Sequence, residues 1–114
     1  MENLLAPDIY HKVRLKPADL DAIVRCFKET FAETDHLWIF GSRVDLKARG
    51  GDIDLYVETK ENDTDLIYKQ KSKFVISMWD AIGEQRIDVV VKFVNDPLQL
   101  AIYNVAIKSG VQLI

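Results

Sequence analysis

Three aspartates carry the most chemistry in this sequence. Asp52 and Asp54 fall in Asp52-Ile53-Asp54-Leu55-Tyr56-Val57-Glu58, which alternates polar and apolar residues, the period of a strand with two different faces. Asp is disfavoured in strands, and a spacing of two puts both carboxylates on one face. Asp88 interrupts the apolar run Ile87-Asp88-Val89-Val90-Val91, which reads as a neighbouring strand, so its carboxylate can come beside the other two. Carboxylates gathered on a mostly buried sheet repel one another and lose hydration, so either their pKa values rise or a cation neutralises them. A divalent metal is the simpler answer, and oxygen-only ligands suit Mg²⁺ or Mn²⁺ rather than zinc. Asp52 and Asp54 alone read equally well as the exposed face of an edge strand. Asp88 tilts the balance, because a lone carboxylate amid aliphatic residues is harder to explain as surface.

Upstream, Gly41-Ser42-Arg43 ends an apolar run and opens a helical turn. Such a junction offers unpaired backbone N–H groups, a hydroxyl and a helix start to an anion, with Gly41 allowing close approach to the backbone. By itself Gly-Ser is an ordinary turn in which Ser42 caps a helix; its place just before the aspartate strand raises its interest. Arg43, Lys47 and Arg49 against one Asp45 make this loop locally basic, which fits either triphosphate contact or a solvated turn.

The elements that must hold these residues follow from periodicity. Pro17 stands near the start of a helix whose apolar stripe is Leu20, Ile23, Val24, Phe27 and Phe31. His36 to Phe40 is expected to form a strand buried on both faces, stopped by Gly41. Arg43 to Arg49 is expected to make a helical turn broken by Gly50-Gly51. After the aspartate strand, Asn62 or Asp63 caps a helix with apolar residues Leu66, Ile67, Phe74, Val75, Met78 and Ile82, and Gly83 stops it. Ile87 to Val94 is the strongest strand and is expected in mid-sheet. A last helix is expected from about Pro97 to Gly110, with Val111 to Ile114 as an edge strand. This order predicts an α/β (α+β) domain, a small mixed sheet packed against helices, filling residues 1–114.

Composition limits the rest. With 114 residues and 48% hydrophobic content, the chain can bury one modest core and has no room for a second, substrate-clamping domain. Its 15 basic residues against 18 acidic ones give a net charge of −3, which argues against extended nucleic-acid binding by this chain alone. Cys26 is the only cysteine, so no disulfide can form within the chain, and it reads as a small buried hydrophobe in a reducing compartment. No segment has signal-peptide or membrane-span character, so the expected location is cytoplasmic, without membrane contact.

Taken together, Phe40-Gly41-Ser42-Arg43, a spacer from Arg43 to Gly51, Asp52-Ile53-Asp54-Leu55 and Ile87-Asp88-Val89 resemble the DNA polymerase β-type nucleotidyltransferase superfamily, most closely its minimal nucleotidyltransferase branch. The motifs span roughly Leu37 to Val91. Gly51 and Val44 stand where that family often has Ser and Ala. The resemblance implies a polymerase β palm-like fold and transfer of a nucleoside monophosphate, AMP being the expected one, from an NTP to a hydroxyl, with release of pyrophosphate. It also implies that Asp52, Asp54 and Asp88 are catalytic and hold two Mg²⁺ ions, with Mn²⁺ an alternative. Gly41 and Ser42 would hold phosphates, with Arg43 and Arg49 as further nucleotide contacts and ATP as the expected substrate. Such proteins are often partners of a helical HEPN-domain protein in a two-component, toxin–antitoxin system. Either that partner or a homo-oligomer is expected to complete the substrate site. The runner-up is a non-catalytic antitoxin or scaffold subunit that masks a helical partner. Glu58-Thr59-Lys60 after the aspartate pair, a short acid-and-lysine pattern found in metal nucleases, ranks third.

Overall fold

The computed structural model describes residues 4–114. A helix α1, Pro7–Lys12, precedes α2, Pro17–Thr30, and each begins with the proline whose missing N–H a first helical turn does not need. Strand β1, His36–Phe40, runs into a single 3₁₀ turn, Gly41–Val44, and then into β2, Ile53–Thr59. Helix α3, Thr64–Ile82, crosses to β3, Ile87–Phe93, and the chain ends with α4, Ala101–Ser109, and β4, Val111–Gln112.

The strands form one mixed sheet in the order β3-β2-β1-β4, with β2 and β3 parallel and the other pairs antiparallel. A parallel pair needs a crossover, and α3 supplies it. Strand alternation then assigns the two faces. Leu37, Ile39, Ile53, Leu55, Val57 and Val89 join Leu20, Ile23, Val24 and Phe27 of α2 and Phe74 and Met78 of α3 in the main core. Phe27, Phe31 and Phe74 meet there at ring separations of 4.7 to 5.6 Å. On the opposite face Trp38, Phe40 and Tyr56 pack under Tyr103 and Ala106 of α4. Cys26 is buried.

Most sequence expectations match these elements, and the exceptions have physical causes. Asp63 caps α3 by accepting from the N–H groups of Asp65 and Leu66, while Gly83 ends it at φ +91°. Leu66, expected on the apolar stripe of α3, is exposed. β3 lies at the sheet edge rather than in its middle; its apolar run reflects helices over both faces, which periodicity cannot separate from strands on both sides. α4 starts at Ala101 rather than near Pro97, because Lys92 Nζ donates to the carbonyls of Asp96 and Leu98 and holds that segment as a loop. The turn expected over Arg43 to Arg49 begins at Gly41 and ends at Val44.

Candidate functional site

The strand register sets Asp54 beside Asp88, and Asp52 stands one residue before β2. Phe40 of β1 is opposite Asp54 of β2, which is opposite Asp88 of β3. Asp54 and Asp88 share the α4 side of the sheet with Tyr56 and Val90, two residues further along. Asp52 stands immediately before β2 and keeps the same parity. The C-terminal end of β1 reaches this level just as it enters the 3₁₀ turn, so Gly41 and Ser42 border the carboxylates by topology alone.

Glycine is required at two points here. Gly41 has φ +75°, and a Cβ on it would collide with Asp54 Oδ2. Gly51 has φ +92°, and a Cβ on it would strike Ser42 Oγ. The positive φ is what favours glycine at position 51, and any side chain there would also force Ser42 Oγ to move.

Two arginines shape the loop. Arg14, from the link between α1 and α2, donates from Nε to the Asp45 carbonyl at 2.7 Å. Its Nη2 reaches the carbonyls of Ser42 and Gly50 at 2.8 and 2.9 Å. Arg43 answers with Nη1 to the Arg14 carbonyl and Nη2 to the Gly51 carbonyl, both at 3.0 Å, and the Arg14 N–H closes the loop onto the Arg43 carbonyl. Both ends of the segment from Ser42 to Gly51 are thus tied to one point. Arg43, expected to touch nucleotide, faces backbone carbonyls in this arrangement, while Arg49 is exposed.

The carboxylates are electrostatically coupled. Burial holds the Asp54 carboxyl above the usual carboxylate range, and the negative charges of Asp88 and Asp52 push it further; Arg86 opposes them. Arg86 Nε lies 3.4 Å from Asp52 Oδ2 and 3.8 Å from Asp88 Oδ2. Among the described residues no three acidic, His or Cys side chains converge on one point as they lie; the guanidinium stands between two of the three. With 74% of its side chain exposed, Arg86 can swing away. The donor set suits a hard divalent cation on two counts: it is all carboxylate oxygen, and it holds more negative charge than one guanidinium offsets.

Sequence reasoning missed Arg14 and Arg86. Arg14 lies 28 residues before Ser42, and no local pattern reports such a contact. Arg86 did have a signal, since it sits two residues before Asp88 and shares its side of β3. Glu58, from the nuclease-like trio, accepts from the Tyr56 hydroxyl at 2.8 Å, away from the aspartates, and Thr59 is buried. No helix among the described residues is long and apolar enough to cross a membrane. Set against known proteins, the chain matches no protein-family model and no curated protein.

Proposed function

We propose that the chain is a metal-dependent nucleotidyltransferase of the polymerase β type, moving a nucleoside monophosphate from an NTP to a hydroxyl acceptor. The single observation that carries this reading is the parallel register of Asp54 against Asp88 with Gly41 against the Asp54 carboxylate. It joins an anion-binding backbone turn to a carboxylate cluster, the two halves of a site for a triphosphate and its counter-ions.

Asp52, Asp54 and Asp88 would hold Mg²⁺. Bound there, Mg²⁺ neutralises phosphate charge and acidifies an attacking hydroxyl. The chain's own contributions are positional. The Gly41–Ser42 backbone N–H groups donate to the β- and γ-phosphates, and the Ser42 hydroxyl adds a donor once it turns from the Asp52 carbonyl, 3.5 Å away. Arg14 and Arg43 keep that turn in shape, while Arg49 is free to meet the triphosphate. Asp88, the more exposed of the strand carboxylates, orients the acceptor hydroxyl and takes up its proton. The acceptor oxygen forms a bond to the α-phosphorus, the α–β phosphoanhydride breaks, and pyrophosphate leaves. Catalysis rests on orientation and charge stabilisation, so few reactive side chains are needed.

A second reading, a non-catalytic subunit that masks a helical partner of the HEPN type, draws on α4. Ile102, Val105 and Ile107 are exposed there, with Leu98 and Leu100 before it, more apolar surface than one short helix ordinarily shows to water. The test is incubation with α-labelled NTPs and Mg²⁺, with and without the product of the neighbouring gene or a short RNA. Label on a protein or RNA acceptor, lost in Asp54→Asn, supports transfer. Partner binding with no label under any of these conditions sinks it in favour of the scaffold.

A further inference from the structure

We propose that two copies of this chain pair through the free edge of β3, in a two-fold antiparallel register centred on Val90. Three observations support it: backbone direction and the flank mark an open edge, and charge selects the register.

The first is hydrogen-bond parity. Ile53 N–H donates to the Arg86 carbonyl and Val94 N–H to the Thr59 carbonyl, so the even-numbered residues of β3 turn their backbone groups to β2. Along a strand these directions alternate. Ile87, Val89 and Val91 therefore direct both N–H and C=O away from the sheet, as does the Phe93 N–H; the Phe93 carbonyl takes the Asp96 N–H. No strand among the described residues lies on that side. A two-fold axis at Val90 sets Val89 opposite Val91 and Ile87 opposite Phe93 of the second copy, which are the residues whose donors and acceptors point outward. A shift by one residue centres the axis on an odd position and leaves part of the strand beyond the overlap.

The second is charge. The sequence Ile87-Asp88-Val89-Val90-Val91-Lys92-Phe93 is self-complementary when reversed: Asp88 meets Lys92 twice, and apolar meets apolar at the other five positions. These are the non-hydrogen-bonded pairs, whose side chains approach most closely. Lys92 is only 8% exposed and makes no ion pair among the described residues. Its ammonium donates to two carbonyls and lies 5.1 Å from the centre of the Tyr103 ring, so pairing with Asp88 of the second copy requires the ammonium to turn towards the open edge.

The third is the flank. A groove of about 200 Å³ runs between β3 and α3, lined by Ile67, Tyr68, Lys71, Val91 and Phe93. Beside it the outer surface of α3 carries Tyr68, 69% exposed, and Ile76, 56% exposed. An open edge with an apolar border is a template for strand addition, and one whose own sequence is self-complementary takes a second copy of itself. Pairing doubles the four-stranded sheet and places both aspartate trios on one face, with Lys92 of the second copy beside Asp88. The interface shares Asp88 with the proposed nucleotidyl-transfer site, but crosslinking and sedimentation read it without metal or nucleotide, so its failure is distinguishable from the failure of that reading.

The test is cysteine crosslinking in a Cys26→Ser background, joined to sedimentation. Val90→Cys lies on the axis, where opposed residues are about 4.5 Å apart at Cα, within disulfide reach. Mild oxidation is expected to give a covalent dimer with a 90–90 bridge identified by mass spectrometry, and no such dimer for Val94→Cys, which faces Arg86 of the second copy. The unmodified chain at ~100 μM is expected to sediment at twice its 13.1 kDa mass. Lys92→Glu should weaken association at least ~10-fold, with Asp88→Lys in the same chain restoring it. A monomer at that concentration, a Val94→Cys bridge, or wild-type association in Lys92→Glu would each overturn the proposal. The Val90→Cys result stands on its own if a charge variant fails to fold.

Discussion

At Asp54 the proposed function and stability would pull in opposite directions. Its folded pKa is raised above 3.8 by burial first, then by Asp88 and Asp52. In the window above 3.8 the native state therefore binds more protons than the unfolded chain, and stability falls as pH rises through the folded value. Asp54→Asn is expected to raise the melting temperature at pH 7 while abolishing the proposed transfer, and the gain should vanish as pH falls below the unfolded value. Thermal unfolding of both chains from pH 3 to 8 reads this directly. Arg86 offers a second measurement, because it competes for the same oxygens. Arg86→Gln should bind Mn²⁺ about two- to five-fold more tightly, the scale of an exposed ion pair, read by Mn²⁺ paramagnetic resonance without substrate. Unchanged affinity would mean that the guanidinium does not occupy the cation position. The aspartates themselves were legible in the sequence, since a carboxylate in a β-branched run breaks a local rule. Arg14 was not legible, because an arginine at a surface link breaks none.

Elements were legible where their signal is local. The cap of α3, placed at Asn62 or Asp63 and found at Asp63, Gly83 as its end and the stripe of α2 are short-range features that the sequence locates. The edge position of β3 was not, because strand order depends on how the chain crosses over rather than on any residue within the strand. The start of α4 was hidden for a similar reason, Lys92 reaching forward to the carbonyls of Asp96 and Leu98. At this scale Arg14 is a positioning residue. Arg14→Ala removes three hydrogen bonds that tie Ser42, Asp45 and Gly50 together. It is expected to raise the KM for NTP by about 10-fold with a smaller change in kcat, the mark of lost binding geometry rather than lost chemistry. Equal losses in both parameters would contradict that role. Phe74→Ala, by contrast, should cost about 3–5 kcal/mol in urea unfolding, since the ring is fully buried against Phe27 and Phe31.

At the scale of the whole molecule, 114 residues build one sheet with a core on each side. The candidate site lies at the end of that sheet where β1 turns through Gly41, next to the open edge of β3. The Asp52 and Asp88 side chains are about half exposed, so on the proposed reading an acceptor would be presented to them from outside the sheet. The exposed apolar surface of α4 and the self-complementary edge of β3 are two different places from which a second molecule could do so. Nucleotide capture is the part of the proposal assigned to this chain's own residues, which makes it the most direct measurement of the central claim. Equilibrium binding of ATP should be followed with and without Mg²⁺, for the wild-type chain and for Asp54→Asn. Expected is binding that requires the divalent ion and weakens at least ~10-fold in Asp54→Asn. Equal affinity in all four conditions, or none in any, would contradict a metal–nucleotide site at Asp52, Asp54 and Asp88.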